Sequence, residues 1–113
     1  MNKNELVVNF SQELRRGTLI LCVLANLREP TYGYSLIERL SKTGISIEAN
    51  TLYPLLRRLE GQELLSSTWN TDGAKPRKYY DLTEFGKEVL EELKKYWQST
   101  VQSMNEILEE SNL

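Results

Sequence analysis

The amino-acid sequence predicts a mainly α-helical domain that carries a two-stranded β-hairpin and ends in a long amphipathic helix. Three observations lead to this prediction. Leucines recur at helical spacing between residues 11 and 62, two strand-like segments flank a turn at Asp72-Gly73, and an apolar stripe follows residue 83. The length of 113 residues, with 40% hydrophobic and 27% charged side chains, is typical of one globular domain.

The composition argues against several classes of protein. No run approaches the roughly 20 apolar residues that span a bilayer, and the N-terminal residues lack the hydrophobic region of a signal peptide, so we predict no membrane partner. The single cysteine, Cys22, excludes an intrachain disulfide and favours a reducing, cytoplasmic location. Because the chain has no histidine, it lacks the commonest general base and a common zinc ligand. We therefore expect no enzymatic activity, no metal and no cofactor.

Charge is distributed unevenly along the chain. The formal net charge is -2, from 14 basic and 16 acidic residues. Residues 49–80 contain five basic and three acidic residues, whereas residues 81–113 contain three and eight. The middle of the chain is therefore its most basic part. An excess of two basic residues does not by itself predict a polyanionic partner.

The first predicted helix extends from Ser11 to Arg28. Ser11 suits the N-cap position, and apolar residues then recur at helical spacing. The run Thr18–Leu24 is apolar on nearly every side, so this helix is predicted to pack between other elements. Cys22 lies in that run and is interpreted as a small packed side chain without a redox role. Pro30 closes the helical region, because its ring disfavours helical geometry at the preceding residue.

A second helix is predicted from Thr31 or Tyr32 to Lys42. Its inward-facing residues are Leu36, Ile37 and Leu40, and Gly44 just beyond its end suits the C′ position. The next residues, GISIEA, are predicted to form a very short extended segment and a turn.

The third helix, from about Ala49 to Gln62, has the clearest division into two faces. Its apolar face follows the i, i+3, i+4, i+7 spacing of a helix and consists of Leu52, Leu55, Leu56 and Leu59. The opposite face is polar and cationic, with Asn50, Pro54 and Arg57 at its centre and Tyr53 and Arg58 beside them. Inside a helix Pro54 would cost about 3 kcal/mol, so Asn50–Pro54 are expected near the first turn, where backbone N–H groups are free.

The predicted hairpin consists of Leu64–Trp69 and Arg77–Leu82 around the turn sequence NTDGAKP. Three basic residues lie at its tip and on its returning strand, namely Lys75, Arg77 and Lys78. The aromatic side chains of the hairpin, Trp69, Tyr79 and Tyr80, are expected to pack it against the helices.

The last predicted helix covers residues 83–109, with Thr83 as its N-cap. At 1.5 Å per residue it would be about 40 Å long, which exceeds what a domain with a radius of gyration near 13 Å covers by itself. Part of its apolar stripe is therefore expected to pack on a second copy of the chain. Within that stripe, Trp97 is interpreted either as a core or dimer-interface residue or as a stacking platform for a flat apolar effector.

Three helices, a hairpin and a long apolar-striped helix, in this order, are typical of a winged helix-turn-helix domain with a dimerising arm. We divide the chain into a DNA-binding domain, residues 1–82, and a C-terminal dimerisation helix, residues 83–113, which forms one compact unit with the first helix. The outer face of the third helix fits the major groove, and a basic wing can reach the flanking phosphates. Arg57 is predicted to contact a guanine edge or a phosphate, and both remain open.

Two other classes of function compete with DNA binding. In the first, a winged-helix module binds another protein through the outer face of the third helix and never contacts DNA. In the second, paired carboxylates such as Glu88 and Glu92, one helical turn apart, support catalysis. Adjacent glutamates on an amphipathic helix usually form a solvated face, so the enzyme is the weakest of the three hypotheses.

Three strings in the sequence resemble the PadR family of transcriptional regulators: TYGYSLIERL, NTLYPLLRRLEGQELL and AKPRKYYDLTEFGKEVL. The resemblance covers about Leu14 to Trp97 and implies a homodimeric repressor of winged-helix fold that binds double-stranded operator DNA. The DNA-contacting positions of the family match Tyr32, Asn50, Thr51, Tyr53, Arg57, Lys75, Arg77 and Lys78.

The chain is also similar to the small members of this family, which have a single C-terminal helix. In multidrug-sensing members, the first and last helices of two subunits enclose a pore in which aromatic side chains stack on planar drugs. The matching aromatic residue is Trp97, and the other matching positions are Leu14, Thr18, Val89, Leu93 and Val101. The resemblance thus implies release of DNA by a small, planar, hydrophobic or aromatic effector. Val89 and Leu93 are bulkier than the matching residues, which predicts a narrower or collapsed pore.

Overall fold

A computed structural model describes residues 1–109, so the last four residues of the predicted dimerisation helix lie outside the described part of the chain. Residues 1–109 form five helices and a three-stranded antiparallel sheet. The elements are α1 (Lys3–Arg16), α2 (Leu19–Ala25), β1 (Thr31–Tyr32), α3 (Gly33–Lys42), α4 (Ala49–Gly61), β2 (Leu65–Asn70), β3 (Arg77–Leu82) and α5 (Glu84–Leu108). The predicted fold class, mainly helical with a small β wing and a long last helix, is confirmed.

The first predicted helix was placed wrongly, because this region forms two helices instead of one. α1 begins eight residues before Ser11 and is capped by Asn2, whose side chain accepts a hydrogen bond of 2.8 Å from the Glu5 N–H. Ser11 instead lies within the helix and donates its hydroxyl to a carbonyl. The Thr18 N–H bonds to the Arg15 carbonyl in the i−3 pattern, and α2 starts afresh at Leu19. Glycine and threonine are both weak helix formers, which accounts for the break.

The sheet has one more strand than the sequence predicts. Thr31 and Tyr32 were assigned to the start of a helix but form β1, which pairs antiparallel with Tyr80 and Tyr79 of β3. β2 and β3 form the predicted hairpin, with Asn70 opposite Arg77 and Leu65 opposite Leu82. We use the name "wing" for β2, β3 and residues 71–76 between them. β3 therefore lies at the centre of the sheet and links the wing to the start of α3.

The connection between α3 and α4 depends on one glycine. Gly44 adopts a φ of 87°, and the N–H of Ile45 bonds to the Leu40 carbonyl at 2.8 Å, as in a Schellman motif. The predicted C′ role of Gly44 is thus confirmed. The following residues form no strand, but Ile45 and Ile47 pack against the core from an irregular loop.

Leucines from four helices and the wing meet in one core. Leu52, Leu56 and Leu59 of α4 are at most 1% exposed, and Leu24 and Leu36 are completely buried beside them. The apolar face predicted for the third helix is therefore confirmed, with Leu55 only partly buried at its edge.

The long helix α5 is attached to the base of the wing. The predicted N-cap is confirmed, since Thr83 Oγ1 accepts a hydrogen bond of 2.9 Å from the Gly86 N–H. The same hydroxyl lies 2.7 Å from the Glu63 carbonyl oxygen, to which it donates. A Cβ atom at Gly86 would overlap the Leu64 carbonyl, so only glycine permits this close approach.

Two stretches of helix leave apolar side chains uncovered in the single subunit. No residue of α1 is buried, and Leu14 is 76% exposed. In the C-terminal half of α5, Trp97 is 45% and Ile107 61% exposed. In residues 1–109 we find no helix with the length and apolar character that crossing a membrane requires.

Candidate nucleic-acid interface

The outer face of α4 is turned to solvent because its leucines anchor the opposite face in the core. Asn50, Thr51, Pro54 and Arg57 are all exposed there. α4 has Glu48 at its N-cap without a side-chain hydrogen bond, so N–H groups of its first turn remain available to a ligand. This end of the helix also carries the positive end of the helix dipole. The outer face therefore offers polar side chains, a guanidinium group and free N–H donors.

Pro54 lies further into the helix than predicted. α4 begins at Ala49, which places Pro54 in the second turn, although Asn50 and Thr51 do lie in the first turn as expected. Proline lacks the N–H that would bond to the Asn50 carbonyl, so that carbonyl has no partner in the regular helical pattern. Asn50 is exposed at this end of the helix.

The wing presents two exposed cationic side chains, Lys75 and Arg77. Its turn is held by an Asn70 side-chain oxygen, which accepts a hydrogen bond of 2.9 Å from the Asp72 N–H. The guanidinium carbon of Arg77 lies 5.0 Å from the centre of the Tyr32 ring, within range of a cation–π interaction. Tyr32, at the start of α3, therefore holds the Arg77 side chain on the side of the wing that faces the helices.

A cleft of about 300 Å³ separates α4 from the wing, and five of the predicted DNA-contacting residues line it. They are Tyr32, Tyr53, Arg57, Arg77 and Lys78. The remaining three lie outside this cleft: Lys75 lines a groove along the wing, Thr51 lines a cavity near α2, and Asn50 is exposed at the start of α4.

Tyr53 is positioned by a close contact with Gly33. A Cβ atom at Gly33 would lie 2.8 Å from Cε1 of the Tyr53 ring, so the ring rests on the first turn of α3. Desolvation raises the pKa of Tyr53, and the hydroxyls of Tyr32 and Tyr80 raise it further. The Tyr53 hydroxyl is therefore neutral at physiological pH and can both donate and accept a hydrogen bond.

Lys78 differs from the other predicted cationic contacts, because it is paired within the chain. Its Nζ lies 3.5 Å from Oε1 of Glu60 on α4 and 5.2 Å from the centre of the Tyr80 ring. The second carboxylate oxygen of Glu60 accepts a hydrogen bond from the Ser67 hydroxyl on β2. Sequence reasoning missed Glu60 and Ser67, since the pairing joins residues distant in the chain.

The predicted packing role of the hairpin aromatic residues is correct for two of the three. Tyr80 is 3% exposed and belongs to the core, and the half-buried Tyr79 lies 6.1 Å from Tyr32 between ring centres. Trp69 is 64% exposed, so the prediction that it packs the wing onto the helices is wrong. Its position in β2 directs the ring outward, where Lys78 lies 5.9 Å from the ring centre.

The residues predicted for an effector site are distributed over α5, α1 and the start of α2. Val89 and Leu93 are partly buried against the core, and Val101 is partly buried further along the same helix. Leu14 and Trp97 are exposed, so residues 1–109 of one subunit do not enclose the Trp97 ring. Thr18 is the N-cap residue of α2, with its hydroxyl bonded to the Arg15 carbonyl.

Cys22 packs beside the core as predicted. Partial burial raises the pKa of its thiol, which keeps the side chain in the unreactive, protonated form at neutral pH.

Comparison with known proteins identifies the family. The model of the transcriptional regulator PadR-like family matches residues 20–92, which include α2, the sheet, α3, α4 and the first turns of α5. The chain belongs to this PadR-like family. Family membership supports the hypothesis of a DNA-binding regulator over that of a carboxylate enzyme. Glu92, one of the two glutamates considered for catalysis, lies 3.6 Å from Lys95 in a surface ion pair.

Solved structures of PadR-like regulators have the same fold. The PadR family transcriptional regulator from Eggerthella lenta DSM 2243 is 51% identical with a TM-score of 0.89, over 94% of this chain and 95% of that one. The PadR-like transcriptional regulator from Bacillus cereus strain ATCC 14579 is 33% identical with a TM-score of 0.78, over 85% and 96%. A PadR family regulator from Clostridium difficile R20291 is 29% identical with a TM-score of 0.75, over 80% and 98%.

Proposed function

We propose that two copies of this PadR-like chain form a repressor that binds double-stranded operator DNA through α4 and the wing. We further propose that a small hydrophobic or aromatic effector binds at the dimer interface and releases the DNA. The observation that carries the proposal is the cleft between α4 and the wing, where Arg57 and Arg77 converge from two elements. α4 and the wing are both cationic and meet at this cleft. One can contact a DNA groove while the other contacts the phosphates beside it.

The DNA contacts that we propose for α4 and for the wing follow from the position of each element. α4 enters the major groove, which is about 12 Å wide, and Asn50, Thr51 and Arg57 contact base edges or phosphates from its exposed face. Lys75 and Arg77 on the wing contact phosphates beside the groove. Tyr32 and Tyr53 line the cleft between these elements.

The exposed apolar residues of α1 and α5 support a homodimer. Leu14, Trp97 and Ile107 would each leave a large apolar surface in water if the subunit remained alone. Two-fold symmetry would bring these helices of two subunits together and present two copies of α4 to one face of the duplex. Successive major grooves on that face lie about 34 Å apart, so the dimer fixes the half-site spacing.

The proposed effector site is centred on Trp97. Its ring is partly exposed on the apolar side of α5, with Val89, Leu93 and Val101 on the same stripe. Leu14 and Thr18 would contribute from the first helices. A planar apolar ligand can stack on such a ring, and it releases DNA only if it favours a dimer geometry that binds DNA poorly.

The DNA-binding part is tested by titrating labelled duplexes that contain the DNA around the gene, and random duplexes of equal length, at several salt concentrations. Preference for the first set is expected, with an affinity that falls steeply with salt. Arg57→Ala should lower the preference if Arg57 reads a base, by about fivefold to 100-fold. Lys75→Ala and Arg77→Ala should weaken binding to all sequences. Equal affinity of the unmodified protein for random DNA would overturn the proposal.

The effector part is tested by fluorescence. In a Trp69→Phe chain the emission comes from Trp97, the only other tryptophan. Planar hydrophobic compounds should quench this emission and weaken operator binding over the same concentration range. A Trp97→Phe chain that keeps Trp69 is the control: the compounds should leave its emission unchanged. Equal quenching in both chains would remove Trp97 from the site.

A further inference from the structure

We infer that Glu60 positions the wing against α4 through Lys78 and Ser67, and that Lys78 braces the wing and makes no DNA contact. This inference rests on the proposed DNA-binding function. Glu60 lies in the last turn of α4, whereas Lys78 and Ser67 lie on the two strands of the wing. One carboxylate thus connects the DNA-facing helix to both strands of the wing.

The geometry of Glu60 supports the inference directly. Its Oε1 lies 3.5 Å from Lys78 Nζ, and its Oε2 accepts a hydrogen bond from the Ser67 hydroxyl. The side chains of Lys78 and Glu60 are 30% and 32% exposed. A partly buried pair with a second hydrogen bond has a more restricted geometry than an exposed pair of two long side chains.

The aromatic residues around Lys78 restrict it further. Its Nζ lies 5.2 Å from the centre of the Tyr80 ring and 5.9 Å from that of Trp69. Tyr80 is fixed in the core, so the ammonium group is held between a buried ring, an exposed ring and a carboxylate. A lysine that contacts a phosphate would have to leave these three partners.

The other two basic residues of the wing, Lys75 and Arg77, differ from Lys78. Both are exposed, and within residues 1–109 neither forms an ion pair with a carboxylate. The pairing of Lys78 with Glu60 leaves the wing with two cationic side chains that no carboxylate in residues 1–109 neutralises. We therefore expect the phosphate contacts of the wing to come from Lys75 and Arg77.

The contacts of Glu60 with Lys78 and Ser67, which we call the brace, add to a second attachment at the base of the wing. Thr83 holds that base through hydrogen bonds to the carbonyls of Glu63 and Leu64. Glu60 holds the strands further along, at Ser67 and Lys78. Together with the pairing of β3 and β1, these two attachments restrict movement of the wing relative to α4.

The test compares the salt dependence of operator binding among variants. Each phosphate contact contributes about 0.9 to the slope of log affinity against log salt, or about 1.8 for the two subunits of a dimer. Lys78→Met should leave the slope nearly unchanged but lower the operator preference by about fivefold. Lys75→Met should reduce the slope by about 1.8. Lys78→Arg, which keeps the cation, should restore most of the preference.

Glu60→Gln keeps the shape of the side chain and its hydrogen bond to Ser67 but removes the charge. The freed Lys78 can then reach phosphates, so the slope should become steeper by up to about 1.8 while the operator preference falls. The double variant Glu60→Gln, Lys78→Met should resemble Lys78→Met alone. Glu38→Gln, an exposed charge removal on α3, is the matched control and should leave both quantities unchanged.

A measurement without DNA separates this inference from the proposed function. In Glu60→Gln and Ser67→Ala, backbone amides of β2 and β3 should exchange with deuterium about fivefold faster than in the original chain. If the original chain shows no operator preference, the proposed function fails while faster exchange still supports the brace. Unchanged exchange in both variants, or a slope reduced by about 1.8 in Lys78→Met, would overturn the inference.

Discussion

The central unit of the molecule, residues 19–90, buries most of its leucines within one chain, whereas the flanking helices, α1 and residues 96–108 of α5, leave most of their apolar side chains exposed. Leu24, Leu56 and Leu90 are at most 2% exposed in the central unit. Leu14 on α1 and Ile107 on α5 are 76% and 61% exposed. Both regions have amphipathic helices, so a similar pattern of apolar residues leads to two different outcomes.

The difference shows that an apolar stripe predicts burial but does not predict which chain covers it. In the central unit, the apolar stripe of α4 packs against α3 and β2 and belongs to one core with residues of α2 and α5. α5 extends beyond that enclosure, since 25 residues at 1.5 Å each make it about 38 Å long. The uncovered part of its stripe is the part that we assign to the dimer.

Leu56→Ala should have the largest effect, because it leaves a cavity in a core that one chain completes. We expect a loss of about 2–5 kcal/mol in the free energy of unfolding, measured by urea denaturation. Leu14→Ala removes the same atoms from exposed α1. At concentrations low enough for monomers it should cost less than about 1 kcal/mol. Equal losses in the two variants would remove the distinction between the regions.

Ile107→Asp should leave each subunit folded and weaken dimerisation about 30-fold or more, because a charge at an apolar interface loses its hydration. Analytical ultracentrifugation over a range of concentrations measures the change. Gln102→Asp introduces the same charge on the polar side of α5 and is the control. A normal dimer with Ile107→Asp would show that residues 96–108 are covered by something other than a second copy.

Gly33→Ala should cost about 1–2 kcal/mol, because the new methyl group displaces the Tyr53 ring. Thermal denaturation measures the loss, and most of it should disappear in a Tyr53→Ala background. Gly17→Ala is the matched control, since no atom lies within 4 Å of the Cβ position and the backbone there is helical. An equal cost of Gly33→Ala with and without Tyr53 would contradict the contact.

Asn2→Ala should have the smallest effect on the whole molecule. It removes the cap of α1 and should destabilise that helix locally by about 1 kcal/mol. We expect the helical ellipticity of the chain to fall. The unfolding midpoint of the central unit, measured on monomers, should not change. Asn4→Ala, within the first turn of α1, is the control and should preserve the ellipticity. A lower midpoint in Asn2→Ala would show that α1 contributes to the central unit.

Local patterns predicted most of the fold. The third helix was predicted as Ala49 to Gln62 and is observed as Ala49–Gly61, because four leucines define one face. The hairpin and the Thr83 cap are correct within a residue, because turn residues and an N-cap residue mark their ends. β1 could not be predicted, since two residues carry no periodic signal and its partner strand lies more than 40 residues away.

The site was predictable in its residue types but not in its pairings. The exposed face of α4 follows from helical geometry once the leucines are placed inside. The Glu60–Lys78 pair joins two elements whose relative placement depends on the whole core. From its sequence position alone, Lys78 therefore belongs with the other basic wing residues, although its surroundings differ from those of Lys75.

The close approach of Gly86 to the Leu64 carbonyl has a mechanical consequence. α5 and the base of the wing are joined there by backbone contact and by the Thr83 hydroxyl, which restricts rotation of one against the other. Any residue with a Cβ atom at position 86 would have to separate these two backbone segments. Gly86 thus sets how closely the last helix approaches the hairpin.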